Sequence, residues 1–590
     1  MNKLLTLLPR AILTITLTLS LTASAAAPNP ATNANVPKTS ADPLLSAMQK
    51  ELTRAKSDLA KSDPGPYYLS YAAYDSNEIQ IVGSYGALLV SGGGHRRSAD
   101  VVMRVGAPQL DNTHLENRGT GMSTGLLPLA NDSGAIERVL WQLTDREYKR
   151  ASPAYLKVKT NTAVRSEEED KSPDFSEEKP QNHVDASTPQ FPFDTHAWED
   201  RVRRLSAEFR KFPDVYSSAV VVNINKTDMT FVSSEGSSVV TPTSAIRMII
   251  QAETRADDGM DLLRVETFQA LTPDQLPPDS EIIPRIQKMA SDLNALRNAP
   301  IAEPYDGPAL LSGRAAAVFF HEVLGHRLEG HRQRGENEGQ TFTKKVNQLV
   351  LPDFLSVADD PTMRELNGVP LAGWYQFDNE GEPAQRADVI QNGILKDFLL
   401  SRTPFKGFGQ TNGHGRSQPG LMATGRQGNL IVTSTKTLPE SEVRAKFIEE
   451  IKKQNKPYGL YFEDIQGGFT LTSRNLPQAF QVLPVMVWRV YADGRPDELV
   501  RGVDIVGTPL AALTHITLTG DKTDVFNGVC GAESGWVPVA AAAPEMLFSE
   551  MEVQKRSQSH NRPPILAPPA FAATDASPSP MKPATGEVKP

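Results

Sequence analysis

Residues 315–331 read AAAVFFHEVLGHRLEGH. Positions 315–320 are apolar, so the stretch predicts one buried helix over residues 312–335 whose polar part carries His321, Glu322 and His326. Two neutral imidazoles are good ligands for a borderline ion such as zinc. A carboxylate beside the first of them can act as general base toward an activated water, as in HExxH sites. The spacing here is HExxxH, one residue longer. Positions i and i+4 on an ideal helix lie about 40° apart, and i and i+5 about 140°. Both imidazoles reach one ion only if the helix is locally wide or ends early, and Gly325 is the place for a π-bulge or an unwound turn.

Other residues bear on the same centre. Glu329 and His331 follow closely and read as further ligands, as groups standing behind the ligands, or as solvent-facing residues. The chain has a single cysteine, Cys530, in FNGVCGAESGWVPV. One cysteine excludes an internal disulfide. It reads either as a small buried apolar residue or, between Gly528 and Gly531, as a thiolate presented on a tight turn. Two imidazoles, one thiolate and one water make a tetrahedral zinc site with an open position and a charge of about +1. His414 and Arg416, in TNGHGRSQPG, read as substrate contacts or as a surface turn, and His515 as a packed or capped strand residue. No Walker loop or dinucleotide fingerprint is present.

The N-terminus bears on compartment. Residues 1–27 carry Lys3 and Arg10, a short apolar run rich in Leu, Ile and Thr, and small residues at 23–27, the three-part pattern of a secretory signal peptide. The apolar run is shorter than the roughly 20 residues needed to span a bilayer. The expectation is a soluble periplasmic protein with no membrane span in the mature chain. The formal net charge is -9. Removing Lys3 and Arg10 makes it about -11. An acidic chain argues against nucleic-acid binding by phosphate neutralisation.

At 590 residues, with 39% hydrophobic and 22% charged side chains, two or more soluble domains are expected. Residues 28–41 read as a disordered leader. Asp42-Pro43 starts a helix to about Lys61. Runs of strand type follow over 67–90, where Tyr67, Tyr68, Tyr71 and Tyr74 read as strand packing rather than a ligand box. The acidic, proline-bearing stretch 165–190 reads as an exposed insertion. Helices are expected near 196–212 and 283–298, with alternating strands between. Together 42–300 reads as an N-terminal α+β domain. From 305 to 555 the texture is β-rich, with a helix capped by Thr437 and a hairpin at Asp493-Gly494. Residues 556–590 read as a disordered Pro/Ala-rich tail. The fold class is α+β.

At these residues the chain resembles the TldD/PmbA family of metallopeptidases, also called modulators of DNA gyrase. The matching pieces are FFHEVLGHRLEGH, FDNEGEPAQRADVIQNGILKDFLLSR at 377–402, NGHGR at 412–416, and GVDIVGTPLAALTHITLTGD followed by NGVCG. They cover about 305–545 in order. The resemblance implies a two-domain architecture and a zinc site of His321, His326 and Cys530 with Glu322 as general base. It also implies cleavage of extended or unfolded peptides within a homodimer or a heterodimer with a paralogue. The chain departs from the family at His331, where an acidic residue often stands, and in its signal peptide. A non-catalytic binding or assembly protein keeping the fold, and an enzyme for a non-peptide amide, are the alternatives.

Overall fold

The computed structural model describes residues 42–114, 119–162, 170–185, 193–334, 338–476, 479–556, 566 and 569. The expected signal peptide and leader lie outside them, as does all but a fragment of the expected tail. The fold is mixed α+β, built on two large sheets.

Asp42 starts helix α1 (Pro43–Leu59) by accepting a hydrogen bond from Leu44 N at 2.9 Å, with Pro43 in the first turn. Strand β1 (Pro66–Ser84) is one continuous element where the sequence suggested two runs. It pairs antiparallel with β2 (Ala87–Ala107), and Helix α2 (Ser133–Thr162) and helix α3 (Thr195–Ala207) follow. Strands β3 (Ser217–Ser233), β4 (Ser238–Arg255) and β5 (Asp261–Ala270) complete the order β2–β1–β3–β4–β5. Helix α4 (Asp279–Asn298) closes this region. Alternation sorts the side chains. Leu69, Tyr71 and Ala73 of β1 meet α1 and α2, and Ile81 meets α3 and α4. On the opposite face Ala72 and Tyr74 pack with Phe231 and, from the second half of the chain, Phe377. The buried tyrosines are therefore packing residues, and Tyr71 shares a 2.8 Å hydrogen bond with Thr144.

The acidic stretch departs from expectation in its described part, 170–185. Phe175 is buried between the guanidiniums of Arg104 and Arg402, each 3.9 Å from the ring centroid. Asp174 accepts from Arg334 at 2.7 Å and pairs with His114 at 2.8 Å. Residues Asn182–Val184 add a parallel strand to β4. Acidic composition predicts solvation only where no cation awaits the carboxylate; here the cations come from elsewhere in the chain.

The second sheet contains β6 (Tyr305–Leu311), β7 (Leu355–Asp359), β8 (Asn429–Ser434), β9 (Tyr458–Thr470), β10 (Phe480–Tyr491), β11 (Val503–Gly507), β12 (Ile516–Ala532) and β13 (Gly535–Lys555). The pairings β6–β9–β10–β11–β13–β6 close a ring. Helix α5 (Gly313–Val323) packs on β9, β12 and β13, and every one of its residues but Arg314 is buried. Phe319 meets Phe480 and Phe548 edge-on at 5.6 and 5.3 Å between centroids. Helix α6 (Glu440–Lys453) buries Val443, Phe447 and Ile451. Its N-cap position is Pro439; Thr437, expected to cap, instead lies in a short strand paired with β12. The expected Asp493-Gly494 hairpin follows β10, whose residues 487–489 pair with 498–500.

Glu545 on β13 gives a pH test of this packing. One of its carboxylate oxygens is buried without a hydrogen-bond partner. Burial, with Glu440 and Asp524 nearby, pushes its carboxyl from 4.5 up to about 7. The folded state thus binds this proton more tightly than the unfolded chain, and stability is lost as pH rises through that window. Glu545→Gln should gain about 1–2 kcal/mol over the parent at pH 8, after solvent screening, and almost nothing at pH 4.5. Urea unfolding at the two pH values measures it; equal gains at both would refute the assignment.

Candidate metal centre

Ser312 begins α5. Its Oγ accepts from Ala315 N at 3.1 Å and donates to the Glu463 carbonyl at 2.8 Å, which pins the helix to β9. The last turn of α5 carries His321 and Glu322. The helix ends there, with Leu324 N bonded to the Phe320 carbonyl at 3.0 Å, and the chain continues as 3-10 turns, Gly325–Leu328 and Gly330–Gln333. A single helix over 312–335 does not form. Of the two geometries that bring an i, i+5 histidine pair together, the chain adopts the early end.

The cause is local. A Cβ at position 325 would collide with the Gln427 side-chain amide, whose Nε2 donates to the His321 carbonyl at 3.4 Å. Arg327 turns back and donates to the Glu322 and Val323 carbonyls at 3.5 and 3.3 Å, and to the Leu471 carbonyl at 3.2 Å. Carbonyls left open by the short helix are thus satisfied by a buried guanidinium.

Cys530 lies on β12, opposite Val537, and packs with Val537 and Val539. It does not sit on the expected tight turn. Gly528 and Gly531 are small for a different reason: added Cβ atoms would come within 2.7 Å of the Phe526 and Trp536 rings. The turn itself, Glu533-Ser534, is two residues further on.

The structure brings His321, His326 and Cys530 together: one nitrogen from each imidazole and the sulfur all lie within 4.8 Å of one another. His326 Nε2 is 3.3 Å from Cys530 Sγ, and the two rings are 5.1 Å apart at 75°. All three side chains are buried, and His321 Nδ1 has no hydrogen-bond partner. Burial opposes charge on each group, yet mutual attraction prevails. The Cys530 thiol is held well below its usual value by His326 and His321. Both imidazoles are shifted upward by Cys530, His326 the more strongly because Glu329 adds to it. Mutual attraction therefore favours a thiolate beside protonated imidazoles. Replacing those protons by one divalent ion keeps the charge balanced and uses each donor, so the residues fit a borderline metal.

Glu322 stands beside the cluster, Oε2 3.9 Å from His326 Nε2, and burial raises its carboxyl. A Cβ on Gly468 would press within 2.9 Å of Glu322 Cγ. Glu329 is fully buried and contacts His326 Nδ1 at 3.2 Å, Arg332 Nε at 2.7 Å and Arg426 Nε at 3.3 Å. Burial works against its charge, but Arg332 and His326 hold it at about 2. It orients the imidazole from behind. His331 pairs with Glu533 and is not part of the cluster.

His414 and Arg416 are buried, which overturns the surface-turn reading. His414 lies between Asn412 and Asp359; Arg416 donates to the Gln427 carbonyl and lies over Tyr375. They brace the segment that meets the end of α5. His515 follows helix α7 (Pro509–Thr514), half-buried, its carbonyl accepting from Ser549 N at 2.8 Å. Sequence reasoning missed Gln427, Arg426, Arg332 and Glu533, which lie in no recognisable spacing relative to the histidines.

The closed sheet, the buried helix and the cluster fall within residues 304–555, which match the PmbA/TldA metallopeptidase C-terminal domain. In sequence this region is similar to curated metalloproteases of the TldD type. A metalloprotease of Archaeoglobus fulgidus is 26% identical over 239 residues, 40% of this chain and 51% of that protein. A zinc metalloprotease TldD homolog of Saccharolobus solfataricus is 24% identical over 277 residues, 46% of this chain and 56% of its own. The chain thus spans about half the length of the relatives it matches in sequence. In fold it is similar to a Thermotoga maritima protein proposed as a modulator of a DNA gyrase, with TM-score 0.58, 15% identity, and coverage of 86% of this chain and 99% of that one. TldE of Thermococcus kodakarensis gives TM-score 0.57 at 14% identity, covering 86% and 100%.

Gly325→Ala tests the helix end. Forcing the Gln427 amide aside should cost about 1–3 kcal/mol of stability, read by urea unfolding of the metal-free protein. An unchanged midpoint would mean that Gln427 does not hold the turn.

Proposed function

We propose that the protein is a zinc-dependent metallopeptidase that hydrolyses peptide bonds of extended or unfolded chains. The observation that carries this reading is the convergence of His321, His326 and Cys530 with Glu322 at their side. Sequence relatives named as metalloproteases, one of them a zinc metalloprotease, support it. A zinc ion held by these three side chains supplies Lewis acidity that polarises a carbonyl and acidifies water. Glu322 accepts the proton of the attacking water and returns it to the leaving amine nitrogen. Burial raises its carboxyl above the ordinary range, which suits a group that takes up a proton and returns it. Glu329, on His326 Nδ1, leaves Nε2 facing Cys530, where the ion would be held. The apolar surroundings of α5 limit water at the site.

The N-terminal pattern supports action in the periplasm after signal cleavage. Among the described residues no helix is long and apolar enough to cross a membrane. Pairing as a homodimer, or with a paralogue, belongs to the same reading; a structural neighbour is TldE.

Glu322→Gln should abolish chelator-sensitive cleavage of an unfolded polypeptide while leaving about one zinc per chain. Retained turnover would remove Glu322 from its role. Cys530→Ser should lower zinc content by elemental analysis, and an undiminished content would take Cys530 out of the centre. Tight binding of the polypeptide by the parent without cleavage would favour a non-catalytic assembly protein.

A further inference from the structure

A two-residue turn between antiparallel strands is ordinarily solvated and needs little beyond its own backbone geometry. The turn Glu533-Ser534, which joins β12 to β13, is held from several sides instead. Ser534 is fully buried; its Oγ accepts from Arg426 Nη1 at 2.9 Å and its carbonyl from Gln418 N at 2.9 Å. The Gly535 carbonyl accepts from Arg426 Nη1 at 3.1 Å, and Trp536 N donates to Gln418 Oε1 at 3.2 Å. Glu533 is gripped by His331 through one oxygen and by Arg332 Nη2, at 3.0 Å, through the other.

These contacts lead back to the metal ligands. Arg332 also donates to Glu329, and Glu329 meets His326 Nδ1. A path of charged hydrogen bonds therefore runs from His326 through Glu329 and Arg332 to Glu533, three residues along the strand from Cys530. Arg426 makes a second link, touching Glu329 and donating to the Cys530 carbonyl at 2.9 Å. One ligand comes from the turn after α5 and the other from a hairpin 204 residues later. These links add to the strand pairing of β12 with β13 and to the apolar contacts of Cys530 with Val537 and Val539.

We propose that Glu533, clasped by His331 and Arg332, is the positioning residue that presents Cys530 to the metal; this rests on the reading of the centre as a zinc site. The carboxylate fixes the hairpin tip on the segment that bears His326, so the thiolate and the imidazole keep one spacing whether or not the ion is bound. His331 belongs to this clasp and not to the ligand set.

The test uses the full chain, loaded with zinc or with cobalt(II), whose thiolate charge-transfer absorption reports sulfur ligation directly. Glu533→Ala should weaken zinc binding about 10–100-fold in chelator competition and diminish the cobalt–thiolate band. Glu533→Gln, which keeps the shape and one acceptor, should fall between parent and Glu533→Ala, and it carries the test should the alanine variant not fold. Glu338→Ala removes a carboxylate 3.4 Å from Arg332 without touching the tip and should change neither readout. Parent-like zinc affinity and cobalt band in both Glu533 variants would overturn the proposal, as would an equal loss in Glu338→Ala. A parent that binds neither ion would overturn the functional reading and this inference with it, whereas a parent that binds both beside unaffected variants overturns the clasp alone.

Discussion

The stop of α5 at Val323 governs where every group of the cluster stands. Had the helix continued, His326 would point about 140° away from His321 and the two could not share an ion. The stop comes from packing, since the Gln427 amide fills the space beside Gly325 and Arg327 satisfies the carbonyls that the missing turn leaves open. Gln427 is in turn held by Arg416, and the neighbouring residues Gly428 and Asn429 bond to Asp359. The geometry of two imidazoles thus depends on a segment a hundred residues away in the chain.

Electrostatics follow from that geometry. A buried carboxylate, a thiolate and two imidazoles would be costly alone, and each is offset by a neighbour of opposite sign. Glu329 is the hinge of the arrangement: Arg332 and Arg426 keep it charged, and its charge favours the proton on His326. A divalent ion entering such a cluster displaces protons already held there, so its binding strengthens with pH until the imidazoles are bare.

Much of this was legible in the residues. HExxxH with a lone cysteine pointed to the three donors, because few residue types bind a borderline metal and the chain has only one thiol. The need for a helix break at Gly325 followed from angular arithmetic. Helix α1, the alternating strands and the buried tyrosines followed from capping and period. What escaped had no local pattern. Cys530 looked like a turn because Gly528 and Gly531 flank it, yet those glycines make room for Phe526 and Trp536. The stretch 170–185 looked solvated because it is acidic, yet Arg104, Arg334 and Arg402 bury it. Thr437 looked like a cap because a helix follows, yet strand pairing with β12 claims it. In each case the deciding partner lies far along the chain.

The order of the donors along the chain has a consequence for assembly. Two imidazoles arrive with α5, but the sulfur belongs to the penultimate strand, and β13 supplies pairing partners to β6, β8, β11 and β12 alike. Until that last strand is laid down the ring is open and the strand that bears the third donor lacks its partner. A growing or truncated chain therefore carries no finished cluster.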